Sequence, residues 1–359
     1  MHILITGGCG FIGSNFIRYI LSTKPNIHVI NLDKLTYAGN PANLSDIEKK
    51  FPRHYRFVKG DICDPQLVES LFQEHDLQWI LNFAAETHVD RSILGPDAFI
   101  KTNIQGTYIL LEAARKHWLH PGAAGSGAKR FLQISTDEVY GSLGAFGCFT
   151  ETTPYDPSSP YSASKAAADH LAKSYFRTFG LPVLVTHSSN NYGPYQFPEK
   201  LIPLMIHNAL SGLALPIYGD GRNVRDWVYV GDHCEALLRV LEKGRPGESY
   251  NIGGRSEKQN KEVVAFICDY LDRKLGSPAA GPRQRLMKFV TDRPGHDQRY
   301  AIDIAKLHRE TGWQPEVPFE QGLQKTIDWY LENAAWVQAV RDGSYLKYYE
   351  KQYGKRLTS

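Results

Sequence analysis

Met1-His2-Ile3-Leu4-Ile5-Thr6-Gly7-Gly8-Cys9-Gly10-Phe11-Ile12-Gly13 opens the chain, and its reading decides the fold. Residues 1–6 carry the short apolar run of a buried strand. Gly7, Gly10 and Gly13 then supply a turn, and Phe16, Ile17, Ile20 and Leu21 recur at the spacing of an amphipathic helix. In that order, the glycines let the backbone turn tightly and approach a pyrophosphate, and the helix start offers N–H donors. The spacing is G-x-x-G-x-x-G instead of the more familiar G-x-G-x-x-G, in the required context of strand before and helix after. A second strand, residues 28–32, ends in Asp33. An acidic side chain at this distance from the glycines accepts from both ribose hydroxyls and repels a 2′-phosphate, which favours NAD over NADP. Lys34 beside it softens that preference.

Working outward, strand-like runs at residues 55–58, 79–83, 130–134 and 182–186 alternate with helical patterns. The alternation predicts an α/β fold of Rossmann type, a doubly wound parallel sheet covered by helices on both faces. Asp64-Pro65 reads as a helix start. Ligands in such sheets sit beyond the carboxyl ends of the strands, so Asp61-Ile62, residues 83–88 and Ser135-Thr136-Asp137-Glu138 should converge on one crevice. From about residue 190 the chain turns to frequent turns with aromatic and basic clusters. The expected organisation is an NAD-binding domain over 1–189, with segments near 228–254 returning to it, and a smaller C-terminal α/β lobe over 190–359. Residues 121–128 read as a flexible surface connector. In the second lobe Arg225 and Arg293 match phosphate oxygens, or else pair with the adjoining Asp226 and Asp292.

The 359 residues suffice for a large core, and 41 basic against 38 acidic residues show no excess of the kind that marks nucleic-acid binders. Five widely spaced cysteines without a Cys-x-x-Cys pair argue against a disulfide framework or any metal site. The glycine turn begins seven residues in, leaving no room for a leader, and no apolar run reaches bilayer length. The expectation is a soluble cytoplasmic protein with no membrane partner.

Tyr161-Ser162-Ala163-Ser164-Lys165 places Tyr161 and Lys165 four apart, on one face of a helix. An ammonium beneath the phenol should lower its pKa and let Tyr161 act as a base. Asp137 and Glu138 add two neighbouring carboxylates, whose pKa values a dry cleft drives apart. Which of the two is raised stays open at this level.

Several stretches together carry a resemblance that runs nearly end to end. They are the glycine turn, Asp33-Lys34-Leu35-Thr36-Tyr37-Ala38-Gly39-Asn40, Ala84-Ala85-Glu86-Thr87-His88-Val89-Asp90-Arg91-Ser92, Thr136-Asp137-Glu138-Val139-Tyr140-Gly141, Tyr161 with Lys165, Asn190-Asn191-Tyr192-Gly193-Pro194-Tyr195 and Asp292-Arg293-Pro294-Gly295-His296-Asp297. The chain resembles the dTDP-glucose 4,6-dehydratases, NAD-dependent nucleotide-sugar dehydratases of the extended short-chain dehydrogenase/reductase family. The resemblance implies oxidation at C4 of the glucose with Tyr161 as base and Thr136 on the same oxygen. Water is then lost across C5 and C6 with Glu138 as base and Asp137 as acid, and hydride returns to C6.

The resemblance also places Gly7, Gly10, Phe11, Ile12, Gly13, Asp33, Lys34, Leu35, Thr36, Asp61, Ile62, Phe83, Ala84, Ala85, Thr102, Tyr161, Lys165 and Asn191 against NAD. It assigns Thr87, Asn190, Lys200, Leu201, Pro216, Ile217, Tyr218, Arg225, Asn260, Asp292, Arg293, Pro294, Gly295 and His296 to the nucleotide sugar, beside Thr136, Asp137 and Glu138. It further implies a homodimer joined through helices of the nucleotide-binding lobe. Cys9 stands where the family more often has Ala, and reads as a small buried filler. Three other readings share parts of this pattern: a dehydratase of a UDP-, CDP- or GDP-linked sugar, a nucleotide-sugar 4-epimerase without need of the two acids, and a non-catalytic NAD-responsive binding protein.

Overall fold

The computed structural model describes residues 1–120 and 128–340. The expected connector therefore lies, but for Ala128, outside the described residues. Strand β1 (His2–Thr6) is followed by β2 (His28–Asp33), β3 (Tyr55–Lys59), β4 (Leu77–Asn82), β5 (Arg130–Thr136) and β6 (Val183–Ser188). Shorter strands come later: β7 (Asn190–Tyr192), β8 (Leu215–Tyr218), β9 (Val224–Tyr229), β10 (Ser249–Ile252), β11 (Glu257–Gln259) and β12 (Met287–Val290). Seven of them form one sheet in the order β10-β6-β5-β4-β1-β2-β3, every pair parallel. The order reverses between β1 and β4, and that reversal opens the ligand crevice at the carboxyl ends of the strands.

Both faces of the sheet are buried, which is why its strands read as near-continuous apolar runs. Along β1, Ile3 and Ile5 enter one apolar layer with Phe16 and Ile17, while Leu4 enters the other with Ile30 and Leu110. Asp64 caps the helix Pro65–Glu74, accepting from the N–H groups of Gln66 at 3.0 Å and Leu67 at 3.1 Å. The helix Pro160–Phe179 begins in a reciprocal cap between Ser159 and Ser162, and ends at Gly180 in the left-handed conformation. After β9 the helix Val230–Lys243 packs on the helix Phe11–Thr23 and leads into β10 on β6.

A separate apolar cluster, with Tyr192, Leu204, Ile217, Val263, Ile267, Phe319 and Ile327, lies under the small sheets β11-β9-β7 and β12-β8. Among the described residues no helix is long and apolar enough to cross a membrane.

Candidate active site

The crevice begins at the glycine turn. Gly7 has φ +68°, and a Cβ there would lie 2.7 Å from the Ala84 nitrogen. At Gly13 a Cβ would meet the Gly7 carbonyl oxygen at 2.5 Å. Gly10 donates to that carbonyl at 3.1 Å and starts the helix Phe11–Thr23 without a side-chain cap. Its first N–H groups have no partner within the helix, and Phe11, Ile12 and Gly13 line the cleft.

At the end of β2, Asp33 is 7% exposed. Its carboxylate accepts from Cys9 N at 2.9 Å and Leu35 N at 2.7 Å, which leaves lone pairs on both oxygens for a ribose. Leu35 itself is held at φ +56°. Lys34 is paired with Asp61 at 2.7 Å, so its charge is already matched. Thr36, Ile62, Phe83, Ala84, Ala85, Thr102 and Asn191 complete this wall. The close-packed glycine turn, open helix start and buried acid fit a dinucleotide with a free ribose 2′-hydroxyl. Cys9 is 1% exposed and burial pushes its thiol up to about 12, as suits an inert filler.

Beyond β5 the chain enters a tight turn, Asp137–Tyr140, with the Thr136 hydroxyl accepting from Glu138 N at 3.3 Å. Thr136, Asp137, Glu138 and Tyr161 line the same cleft, and Thr136 works against the rise that burial imposes on the Tyr161 phenol. Asp137 is 2% exposed and its Oδ2 has no partner. Burial, then Glu138 and Asp226, push Asp137 well above the carboxylate range. Burial raises Glu138 too, but Arg293, Lys200 and Arg225 pull against it. Burial and the neighbouring carboxylates thus favour the protonated form of Asp137, while three cations favour the charge of Glu138.

One expectation is corrected. The Tyr161 phenol is raised, not lowered: burial first, and then Glu138, push it up. The Lys165 ammonium donates instead to the Ile134 carbonyl at 2.6 Å, and burial pulls its own pKa down. Four-residue spacing put both groups on one helix face, but the strand carbonyl captured the charge.

Charged groups from later in the chain surround Glu138, with Arg293, Lys200 and Arg225 acting on its carboxyl. Arg225 is buried, donates to the carbonyls of Val224 at 2.8 Å and Asp297 at 2.9 Å, and stacks on Tyr300 at 4.3 Å. It does not pair with Asp226, which accepts from Gly254 N and Ser256 N. Arg293 pairs with Asp90 at 3.3 Å, not with Asp292, and its buried Nε has no partner. Tyr218 donates to the same Asp90 at 3.2 Å, and His296 lies edge-on to Tyr218 while bonding Asp292 at 2.6 Å. Burial and the two arginines bring His296 down to about 4.

Lys200 donates to the Thr87 carbonyl at 2.9 Å, and the Oδ1 atoms of Asn190 and Asn260 are buried without partners. Ile217 and Pro216 are buried on β8, and Leu201, half-buried at the start of the helix Leu201–Ser211, packs against the same apolar cluster. Pro294 and Gly295 are exposed on the 292–296 loop.

A family profile described as GDP-mannose 4,6 dehydratase matches residues 4–326. A curated dTDP-glucose 4,6-dehydratase of Xanthomonas campestris pv. campestris (strain B100) is 59% identical over 342 residues, 95% of this chain and 96% of the relative. The chain belongs to the dTDP-glucose 4,6-dehydratase family. Solved members agree with the fold. The dTDP-glucose 4,6-dehydratase of Bacillus anthracis, in complex with NAD, is 49% identical with a TM-score of 0.83, covering 95% of this chain and 99% of that one. The Streptomyces venezuelae enzyme, also with NAD bound, is 46% identical with a TM-score of 0.85, covering 95% and 100%.

In this dTDP-glucose 4,6-dehydratase family member, sequence reasoning missed a bridge across the cleft. Arg91 bonds Glu199 at 3.2 Å and lies 3.9 Å over the Tyr37 ring, and Tyr37 meets Phe197 edge-on at 5.8 Å. Arg91 lies on the short helix Val89–Leu94 and its partners come from segments far away in sequence, so no local pattern marks the bridge. Asp90, which holds both Arg293 and Tyr218, was visible only as one letter of a longer motif.

Proposed function

We propose that the protein converts dTDP-glucose into dTDP-4-keto-6-deoxyglucose and water, with NAD held in the cleft throughout. The observation that carries this reading is the pair of acids at the end of β5, Asp137 buried with an unmatched Oδ2 and Glu138 in the field of Arg293, Lys200 and Arg225. Bound in its oxidised form, NAD supplies a hydride acceptor for C4, a hydride donor for C6 and a positive charge. Gly7 to Gly13 and Asp33 hold it, with Lys34 to Thr36, Asp61, Ile62, Phe83 to Ala85, Thr102, Lys165 and Asn191 along its length.

Thr136 Oγ1 and the Tyr161 phenol oxygen would hold the C4 hydroxyl, and with the positive charge of bound NAD favouring its phenolate, Tyr161 would take that proton as C4 becomes a carbonyl. That carbonyl acidifies the hydrogen on C5, and the Glu138 carboxylate removes it. Asp137 gives its proton to the C6 hydroxyl, which leaves as water. Glu138 then returns its proton to C5. The proton gained by Tyr161 balances the one lost from Asp137, so the site resets with no net oxidation.

Thr87, Asn190, Lys200 and Asn260, with Arg225, Arg293, Tyr218 and the 292–296 loop, take the nucleotide sugar in this reading. The lobe boundary near residue 190, with 228–254 returning to the first lobe, belongs to the same proposal. So does a homodimer: Ile93, Leu94, Ile100, Tyr108 and Phe179 are exposed apolar side chains on neighbouring helices of the first lobe. Light scattering at twice the chain mass checks it. Free thiols at Cys9, Cys63, Cys148, Cys234 and Cys268 suit a reducing, cytoplasmic setting.

Mass analysis after incubation with dTDP-, UDP-, CDP- and GDP-glucose is the deciding experiment. Loss of one water from dTDP-glucose alone is expected. A product of unchanged mass points to epimerisation, and no product at saturating substrate to a binding protein.

A further inference from the structure

Behind Lys165 lies a buried polar cluster that the chemistry above does not use. Asp169, one helical turn beyond Lys165, is 0% exposed. Its Oδ2 accepts from Ser135 Oγ at 2.6 Å and from the Tyr155 hydroxyl at 3.3 Å, and His187 Nε2 lies 3.3 Å away. The two ring nitrogens of His187, itself 0% exposed, are held by the hydroxyls of Tyr155 at 2.6 Å and Tyr140 at 3.0 Å. Asp169 Oδ1 is buried without a partner. A wholly buried carboxylate with an unmatched oxygen is costly, and apolar side chains of similar volume would fill the space more stably. Its position says what it does instead.

Ser135 immediately precedes Thr136-Asp137-Glu138 on β5, whereas Asp169 shares its helix with Tyr161 and Lys165. The 2.6 Å bond between them ties together the two segments that supply all five reacting groups. Charge matters as well. The Lys165 ammonium is bonded to a carbonyl, in a buried place that disfavours its charge, and the field of Asp169 opposes that loss. We propose that Asp169 is a positioning residue for the dehydration read from this site, on which the inference rests. It fixes the helix Pro160–Phe179 against the end of β5, and its carboxyl lies where it favours the Lys165 ammonium against burial.

Titratable groups reach Asp169 from every side. Lys165 and Lys173 share its helix, Tyr155 and Tyr140 come from the segments after β5, and His187 comes from β6. Tyr161 feels it too, its phenol pushed up by burial, then by Glu138 and Asp137, and then by Asp169. Removing one negative charge lowers the pKa of Lys165 and of Tyr161 together. Both limbs of the kcat profile then move to lower pH. Loss of packing alone lowers activity without moving either limb.

The test is steady-state turnover of dTDP-glucose by the full-length protein, wild type against Asp169→Asn and Asp169→Glu, across the active pH range. For a cooperatively melting Asp169→Asn, kcat should fall about 10- to 100-fold with KM little changed. Both limbs should shift down by about one pH unit, while Asp169→Glu keeps the limbs near wild type. Unmoved limbs in folded Asp169→Asn overturn the proposal. Should that variant fail to fold, Ser135→Ala removes the tie and keeps the charge. A several-fold loss of kcat at unchanged limbs then supports the tie, and wild-type kcat overturns it. Wild type that fails to dehydrate dTDP-glucose overturns the function itself, whatever the variants do.

Discussion

On the cofactor wall of the cleft the working atoms are mostly backbone: the Gly7 to Gly13 turn, the uncapped helix start and one acid, Asp33, already bonded by two N–H groups. On the substrate wall they are charged or polar side chains drawn from loops far apart in the chain. Asp90, Glu138, Lys200, Arg225, Arg293 and His296 crowd together there, and the Oδ1 atoms of Asn190 and Asn260 remain unmatched. The difference shows two ways to prepare a site. Backbone dipoles fixed by local geometry cost little to hold in place. Buried side-chain charges store tension that a ligand relieves, and catalysis draws on that tension.

The sharpest way to break this contrast is at the acids. Glu138→Gln should lower turnover by roughly 10²–10⁴-fold while some reduced cofactor still accumulates, seen as absorbance in a single turnover. Asp137→Asn should lose a similar factor. It should also raise the thermal midpoint at neutral pH, because tension is removed. The sign follows from the raised pKa. The folded protein prefers Asp137 protonated, so stability declines as pH rises above the ordinary carboxylate range, and a neutral Asn escapes that decline. A lower midpoint in Asp137→Asn would show that the acid is structurally supported and not strained.

Gly7→Ala tests the backbone wall. A Cβ at φ +68° and 2.7 Å from Ala84 N should cost roughly 1–3 kcal/mol and weaken NAD binding at least about tenfold, read by titration. Undiminished binding would mean that the turn tolerates a side chain and that the cofactor is held mainly elsewhere. Smallest of all is Lys34→Ala. Its side chain is 51% exposed and paired with Asp61, so NAD affinity should change by less than about 1 kcal/mol, with NADP still rejected by Asp33. A large gain in NADP preference or a large loss of NAD would give Lys34 a role that its exposure denies.

Legibility followed the same divide. The strands through β6, the Asp64 cap and the glycine turn could be read because each depends on residues close in sequence, through apolar runs, glycine spacing and caps. For Arg225 and Arg293 the phosphate and ion-pair readings stayed equal, since their partners, Asp297, Tyr300 and Asp90, lie far away along the chain. The Arg91–Glu199–Tyr37 bridge and the Asp169–Ser135 tie were invisible for the same reason. At Tyr161 and Lys165 the spacing was right and the electrostatics wrong. Helical periodicity places two groups on one face, but only the neighbouring strand decides which oxygen the ammonium takes.

By itself, then, the sequence determined the sheet, the phosphate-binding turn and the set of residue types able to move protons, because those follow from short-range sterics and periodicity. Only the tertiary structure decided that Asp137 is buried beside Glu138 with cations facing the latter, and which groups Arg225, Arg293 and Lys165 meet. Desolvation and Coulomb forces act through space, and sequence neighbours differ in both once the chain has folded.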